Sequence, residues 1–352
     1  MLAASVAAVP CSTSYLSWMA DSFIRRGVPK TFHYTEAVLY EGMEAAYALH
    51  SNETIANWYR SQIDALVLEN GTIEGWEYEY YSLDEYRAGN NYLWWWEKTG
   101  EDKYKRAADI IRNQLNQHPR TASGGFWHRD PNYPNQMWLD GIFMADSFYA
   151  KWTSLFDQDN TTAWDDILLQ YDLIEKHTRN KSTGLMVHGY DESKVAVWAD
   201  PITGAAPLAW DRAVGWYLMS LLEVIPLFPP SHPGHQRLVE YYTTLAAAVK
   251  DAQDSSGGWW LIMNEPYPGM DGNYIESSAS AMFTFGLFKG IQMGLLTDPG
   301  FLETARTGYK LLIDRFVLVN SDGTLSWEGT VKVGSLGSNG TFEASVHLVK
   351  LL

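Results

Sequence analysis

Cysteine is almost absent from this 352-residue chain, which contains only Cys11. A single cysteine can form neither an intrachain disulfide nor a cysteine-based metal site. The histidines follow no HExxH pattern and form no closely spaced ligand pair, so the sequence predicts neither a metal nor another cofactor. No glycine-rich phosphate loop and no GxSxG pattern occurs, and Ser277 has no neighbouring base, which argues against a serine nucleophile.

Positive charge is scarce as well. The chain has 26 lysines and arginines against 42 aspartates and glutamates, which gives a formal net charge of -16. Such a charge argues against nucleic acid and anionic membranes as partners, and no apolar run reaches transmembrane length. An anionic substrate would therefore need a local cationic pocket.

Two features of the sequence bear on localisation. The first residues, MLAASVAAVPCS, lack the basic region of a signal peptide and resemble the remnant of a trimmed one. N-x-S/T sequons occur at Asn52, Asn70, Asn160, Asn180 and Asn339, where chance would give roughly two. This excess predicts a secreted, extracellular glycoprotein, with a cytoplasmic protein as the alternative.

Apolar and aromatic residues are abundant. Hydrophobic residues make up 46% of the chain, which includes 16 tryptophans and 21 tyrosines. This is ample for a large core, and no linker-like composition interrupts the sequence. Because barrels of this length fold as one unit, we predict a single domain over residues 1–352.

Amphipathic and apolar segments of helical period alternate along the chain, and strand signals are few (residues 257–263 and 325–333). The apolar helices are predicted to open near Tyr34, Asp84, Asp140, Arg212, Glu276 and Glu343. Their spacing of roughly 50 to 70 residues is typical of a repeat architecture. Because the last helix is apolar rather than a polar cap, we predict an all-α closed double ring, an (α/α)6 barrel of six helical hairpins.

Asp140 stands at the start of the helix that follows GGFWHRDPNYPNQMW, a helix with no clean polar face. Burial raises the pKa of a carboxyl group, while a helix N-terminus favours its ionised form. A group held between these influences can act as a general acid and then as a general base. The alternative is that Asp140 only caps its helix.

Other polar residues gather where the inner helices begin, and those helix ends meet at one mouth of the predicted ring. Each has a structural alternative: the histidines as satisfied core groups, Asp84 and Glu276 as helix caps, and Trp216 as core. Arg212 is harder to explain structurally, because a guanidinium among buried aromatic residues needs an anion. Arg212 is also the only strong cation that we assign to the mouth, so we predict that it binds the anionic group of a substrate.

Four ordered motifs carry a resemblance to glycoside hydrolase family 105, the unsaturated rhamnogalacturonyl hydrolases. They are GGFWHRD with YPNQMWLDG, GLMVHGYDES, WADPITGAAPLAWDRAVGWYLMSL and YIESSASAMF, and the resemblance extends from about Trp18 to Gly340. Family 88, the unsaturated glucuronyl hydrolases, is a more distant relative. The resemblance implies an (α/α)6 barrel that hydrolyses pectin-derived sugars bearing a 4,5-unsaturated uronic acid, the product of polysaccharide lyases.

The resemblance also implies roles for single residues. Asp140 matches the catalytic general acid/base and Asp84 the second aspartate. Residues that match the pocket lining and its aromatic walls are Tyr34, His128, Trp138, His188, Trp210, Arg212 and Trp216. The substrate is a cyclic enol ether, so Asp140 would protonate C4 and then accept a proton from water that attacks C5, whereas an ordinary glycosidase needs two carboxylates astride the anomeric bond.

The chain departs from the family at its end, where ASVHLVKLL follows GTFE. The last inner helix is therefore predicted to be shortened, with exposed apolar surface between Phe342 and Leu352. Two other functions stay open: an inverting glycosidase or sugar epimerase on the same barrel, or a non-catalytic sugar-binding relative. The motifs around Asp140 and Arg212 favour the hydrolase over an inverting glycosidase or epimerase. The presence of both aspartates favours it over a non-catalytic relative. The sequence does not distinguish a galacturonyl from a glucuronyl substrate. It predicts a monomer or a weak homodimer.

Overall fold

Helices of an outer and an inner layer alternate along the part of the chain that the computed structural model describes, residues 14–346. The predictions about Cys11, the first residues and the end of the last helix lie outside that range. In chain order the α-helices are α1 (Tyr15–Arg26), α2 (Tyr34–His50), α3 (Glu53–Ile63), α4 (Leu83–Tyr86), α5 (Ala88–Thr99), α6 (Asp102–Asn116), α7 (Leu139–Gly141), α8 (Ser147–Phe156), α9 (Thr161–Thr178), α10 (Asp211–Val224), α11 (Gly234–Asp251), α12 (Ser277–Gln292), α13 (Pro299–Leu311) and α14 (Phe342–Val346). Two π-helical turns, Ile142–Asp146 and Leu312–Phe316, join α7 to α8 and extend α13.

The inner helices begin within one residue of the predicted starts. They are α2, α4 with α5, α7 with α8, α10, α12 and α14. Nearly every residue of α10 is buried, as expected for a helix that is apolar on all sides. The outer helix α6 instead buries one face, which includes Tyr104, Ala108, Ile111 and Leu115. Their spacing of three or four residues places them on one side of the helix.

Short antiparallel pairs connect the loops that precede successive inner helices. Strand β1 (Tyr81–Ser82) pairs with β2 (Arg129–Asp130), β3 (Gln136–Trp138) with β4 (Gly189–Asp191), and β5 (Val317–Val319) with β6 (Leu325–Trp327). Isolated bridges join Trp210 to Ile262 and Trp260 to Ile275. The predicted strand at residues 257–263 therefore forms bridges rather than a strand. We call the pairs and bridges that precede the inner helices the collar, because together they link the loops around the mouth.

One glycine of the collar is required by close packing. At Gly189, a Cβ atom would lie 2.5 Å from the carbonyl oxygen of Met137 and 3.0 Å from the Cα of Trp138. No other residue type fits there without moving one of the two strands. Gly189 therefore lets β4 approach β3 and brings His188 next to the loop that carries Asp140.

The two ends of the described chain meet in the outer layer. The indole Nε1 of Trp18 on α1 donates to the carbonyl oxygen of Gly323 at 2.8 Å, and the backbone N–H of Leu325 donates to Ser22 Oγ at 2.8 Å. At the last inner helix, Phe342 is only 7% exposed and stacks on Tyr267 with 4.7 Å between ring centres. The predicted exposed apolar surface is therefore wrong for Phe342, and residues 347–352 lie outside the described part.

One large connected cluster of buried side chains extends from Ala20 on α1 to Phe342 on α14, beside two smaller clusters. The expectation of one domain over residues 1–352 stays a prediction, and this continuity is what supports it. No helix within residues 14–346 is both long and apolar enough to cross a membrane.

Candidate active site

Asp140 lies in the first turn of α7 and is 9% exposed. The N-cap position of α7 is Trp138, and no side chain caps this helix, so the alternative that Asp140 is only a cap is wrong. Nε2 of His188 lies 3.0 Å from Oδ2 of Asp140. The backbone N–H of Leu139 also donates to the carbonyl oxygen of His188 at 3.0 Å, so the β3–β4 pairing places the two side chains together.

Two opposing influences act on the pKa of Asp140. Burial, the largest single influence, raises it, but His188, His128 and the backbone N–H of Asp140 together lower it by more, so that the pKa lies below the ordinary value. The sequence analysis weighed burial against the helix N-terminus and did not anticipate a titratable partner. His128 experiences the reverse balance: burial lowers its pKa, and the charges of Asp84 and Asp140 only partly offset this.

Asp84 has a different partner. Nη2 of Arg129 lies 2.6 Å from its Oδ2, and Nε2 of His128 lies 3.7 Å from its Oδ1. The residue opposite Arg129 in the β1–β2 pairing is Ser82, two residues before Asp84. The N-cap of α4 is Ser82, with no side-chain hydrogen bond, so Asp84 is not a cap either. Arg129 is a second strong cation at the mouth, and the prediction that Arg212 is the only one is wrong.

Aromatic rings surround the two carboxylates on one side. His128 stacks on Trp138 with 4.1 Å between ring centres, and Tyr133 lies 4.5 Å from the same indole. His188 lies between Trp138 at 5.3 Å and Trp210 at 5.0 Å. These rings form a wall of the kind that binds the apolar face of a sugar.

Tyr34 and Trp216 form the opposite wall. Their rings meet edge to face at 6.4 Å, and Trp216 stacks on Phe143 at 4.7 Å. Burial raises the pKa of Tyr34 to about 12, with further contributions from Asp84 and Asp140 that are partly offset by Arg212. The Tyr34 hydroxyl therefore lies close to both carboxylates and remains a neutral hydrogen-bond donor at physiological pH.

Arg212 is paired with an anion of the protein itself. Its Nη2 donates to Oε1 of Glu276 at 3.1 Å and to the carbonyl oxygen of Val331, and its Nε donates to Ser278 Oγ at 2.7 Å. Glu276 is fully buried and caps α12 through the backbone N–H of Ala279. Glu276 is thus the anion that the buried guanidinium of Arg212 requires. The Nη1 atom of Arg212 makes no hydrogen bond within residues 14–346.

All nine predicted site residues come together at the mouth, and two further residues belong with them. The two that the sequence analysis missed are Arg129 and Tyr133. The HRD tripeptide was the only signal for Arg129, because two-residue strands have no readable periodicity. Within residues 14–346, no group of three or more His, Cys, Asp and Glu side chains could hold a metal ion.

Cavity size alone does not identify this site. A cavity of about 670 Å³ lies beside β4 at the end of α9 and contains none of the nine residues. A cavity of about 20 Å³ lies between His188, Trp210 and residues 334–340. The smaller one reaches Asp140 through His188, and we place the candidate site at the mouth on the clustering of the nine residues rather than on cavity volume.

Comparisons with known proteins agree on one family. The family model described as Glycosyl Hydrolase Family 88 matches residues 17–349. The solved structure of a glycoside hydrolase from family 105 of C. acetobutylicum ATCC 824 is 32% identical, covers 96% of this chain and 94% of its own, and has a TM-score of 0.91. This likeness confirms the predicted helical barrel.

Curated relatives point in the same direction. Protein Atu3128 of Agrobacterium fabrum is 34% identical over 157 residues, which are 44% of this chain and 66% of that protein. The chain thus spans just under two thirds of that relative's length. The unsaturated rhamnogalacturonyl hydrolase YesR of Bacillus subtilis is 26% identical over 271 residues, 74% of this chain and 73% of its own.

Proposed function

This chain belongs to glycosyl hydrolase family 88, and on that premise we propose that it removes a terminal 4,5-unsaturated uronic acid from oligosaccharides produced by polysaccharide lyases. The observation that carries the proposal is the contact of 3.0 Å between Asp140 and His188 at the mouth. A carboxyl group beside a titratable base can give up a proton and take one back.

The proposed reaction is hydration of the C4=C5 bond. The carboxyl group of Asp140, in its protonated form, delivers its proton to C4 while positive charge develops at C5 and the ring oxygen. Water then attacks C5 and gives its proton to the Asp140 carboxylate. The resulting hemiketal opens to a C5 ketone, and the former anomeric centre, now a hemiacetal, releases the aglycone.

Asp84 takes a binding and orienting role in this proposal. Its carboxylate is held by Arg129 at 2.6 Å and can accept hydrogen bonds from sugar hydroxyl groups. The free Nη1 of Arg212 can meet the uronate carboxylate, since it is not occupied within the described chain. Removal of Arg212 would also leave Glu276 as an uncompensated buried charge, which is costly in its own right.

We propose unsaturated galacturonyl-rhamnose, from rhamnogalacturonan in pectin, as the substrate. The relative YesR is an unsaturated rhamnogalacturonyl hydrolase, which supports this choice. The test is to incubate the protein with unsaturated disaccharides from several lyases and to follow the loss of ultraviolet absorbance from the C4=C5 bond. A galacturonyl-rhamnose substrate should react fastest, and a faster glucuronyl substrate would contradict the proposed specificity.

Isotope labelling distinguishes this mechanism from ordinary glycoside hydrolysis. In heavy-oxygen water, the new C5 carbonyl should carry the label and the anomeric carbon of the released aglycone should not. Label introduced by attack at the unsaturated sugar's anomeric carbon, with the C4=C5 absorbance retained, would establish ordinary acetal hydrolysis instead, and the configuration of the released sugar would show whether it is inverting.

We also propose that the protein is secreted and glycosylated, as a monomer or weak homodimer. The side chains of Asn70, Asn160, Asn180 and Asn339 are exposed and that of Asn52 is half-buried, so each sequon is open to modification. Endoglycosidase treatment of the natively expressed protein should lower its apparent mass. An unchanged mass would favour the cytoplasmic alternative.

A further inference from the structure

Arg87 lies inward of the mouth and is only 1% exposed. Its Nη1 and Nη2 donate to the two carboxylate oxygens of Glu223, both at 2.7 Å, and Nη2 lies 2.5 Å from Oε1 of Glu41. Nη1 also donates to the carbonyl oxygen of Phe143 at 3.0 Å, and the guanidinium carbon lies 3.6 Å from the centre of the Phe143 ring. One guanidinium therefore joins α2, the junction of α4 with α5, the first π-helical turn and α10.

We call Arg87 and its partners Glu41, Phe143 and Glu223 the hub. Each of these four residues follows a residue of the mouth on the same helical segment and lies further inside the ring. The pairs, mouth residue first, are Tyr34 with Glu41, Asp84 with Arg87, Asp140 with Phe143, and Trp216 with Glu223. Residues three or seven positions apart share a helix face and lie about 4.5 or 10 Å apart along the axis. The hub therefore supports the mouth from directly below at four points.

The segment that carries Asp140 is not a regular α-helix, and this irregularity makes support from neighbouring residues necessary. Residues Ile142–Asp146 form a π-helical turn, which inserts one extra residue, interrupts the regular hydrogen-bond ladder and is frequent at functional sites. Arg87 donates to the backbone of this turn and stacks on Phe143. Phe143 in turn stacks on Trp216 at 4.7 Å. Arg87 is therefore linked through Phe143 to the wall that Tyr34 and Trp216 form.

We infer that Arg87 is a positioning residue for the proposed hydration, since it ties together the four helical segments that carry Asp140, Asp84, Tyr34 and Trp216. It touches no substrate and acts through the geometry of those groups. The inference rests on the proposed function and deepens it. Arginine suits this place because its rigid fork binds a carboxylate through two bonds while its planar face stacks on a ring, which a lysine ammonium cannot reproduce.

Arg120 offers a matched control. Its Nη1 and Nη2 donate to the two oxygens of Asp166, both at 2.7 Å, and Nη1 donates to the carbonyl oxygen of Gly124 at 2.7 Å. Its guanidinium carbon lies 4.0 Å from the centre of the Phe126 ring. These are the same three kinds of contact, but they join the loop after α6 to the outer helix α9.

The test compares Arg87→Lys with Arg120→Lys at a temperature where both are folded. We expect kcat of Arg87→Lys to fall about 100-fold, as displacement of reacting groups by about 1 Å does, while KM changes less than about threefold. Arg120→Lys should lose thermal stability and keep kcat within about twofold. Equal kcat in the two variants would overturn the inference, because Arg87 would then be merely structural.

Hydrogen exchange gives a second readout that needs no substrate. The amides of residues 139–146 and of the first turn of α10 should exchange faster in Arg87→Lys than in Arg120→Lys, and unchanged exchange there would overturn the inference. If the wild-type protein acts on no unsaturated disaccharide, the proposed function fails, while this result still decides whether Arg87 orders the mouth. Should Arg87→Lys not fold, Glu223→Gln keeps the guanidinium and should lower kcat about 10-fold by loosening one contact.

Discussion

The two carboxylates of the mouth have similar positions and different partners. Asp140 and Asp84 both lie in the first turn of an inner helix, and both are held by the collar. Asp140 lies beside the imidazole of His188, with Nε2 3.0 Å from Oδ2. Asp84 lies beside Arg129, whose guanidinium stays protonated. Burial, the largest single influence, lowers the pKa of Arg129, but Asp84, Tyr80 and Tyr133 together raise it above the ordinary value.

This difference separates two roles that the aspartates alone do not distinguish. A buried carboxyl group 3.0 Å from an imidazole is suited to proton transfer. Asp84 also has an imidazole nearby, that of His128 at 3.7 Å, but its nearer partner is the permanent cation of Arg129 at 2.6 Å, which suits it to orienting hydroxyl groups.

Asp140→Asn should have the largest effect, because the amide keeps the shape of the side chain but can perform neither proton transfer. We expect kcat to fall about 1,000-fold or more, since two steps share one group. Calorimetry should show that binding of the unsaturated disaccharide is largely kept. In Asp84→Asn we expect KM to rise together with a smaller loss of kcat. Equal and purely kinetic losses in the two variants would remove the distinction between the aspartates.

Arg129→Met tests the permanent cation beside Asp84. The substitution leaves a mostly buried carboxylate without its ion pair, so the side chain should reorient or take up a proton. We expect kcat/KM to fall about 100-fold, mainly through weaker positioning of the sugar. Arg129→Lys is the control, which keeps the charge and should recover most of the activity. A full loss in Arg129→Lys as well would show that the fork geometry of arginine, rather than its charge, holds Asp84.

His188→Gln should change the pH profile more than the maximal rate. Without the imidazole, the effect of burial prevails and the pKa of Asp140 rises. The protonated acid then persists to higher pH, so the limb of kcat/KM that falls with increasing pH should move upward. His232→Gln is the control, because Nε2 of His232 lies 3.1 Å from Oδ1 of Asp165 at the outer surface. An unmoved limb in His188→Gln would mean that the Asp140–His188 pair is not the titrating acid.

The helical ring and most of the site were predictable from sequence, because both depend on signals that repeat along the chain. Apolar period and length placed the start of α10 at Arg212, within one residue of its position in the structure. The motifs around Asp140 and Arg212 identified the mouth. These signals are local or come from a resemblance, and neither requires knowledge of strand register.

The partners of the site residues were not predictable, because they depend on strand register and on contacts between residues far apart in the chain. Arg129 reaches Asp84 only through a two-residue strand pair, which is too short for any periodicity. Glu276 neutralises Arg212 from 64 positions away in the chain, and Glu223 meets Arg87 from 136 positions away. A π-helical turn has no sequence signature either, so the support below Asp140 became visible only in three dimensions.

The meeting of α1 with the β5–β6 hairpin has a consequence for how the protein is made. The bond between Ser22 and Leu325 joins residues 303 positions apart. At about 5 to 20 residues per second, a ribosome needs roughly 15 to 60 seconds to synthesise the intervening chain. During that time α1 lacks its partner in the outer layer, so the nascent ring stays open and its seam closes only when the last hairpin has been translated.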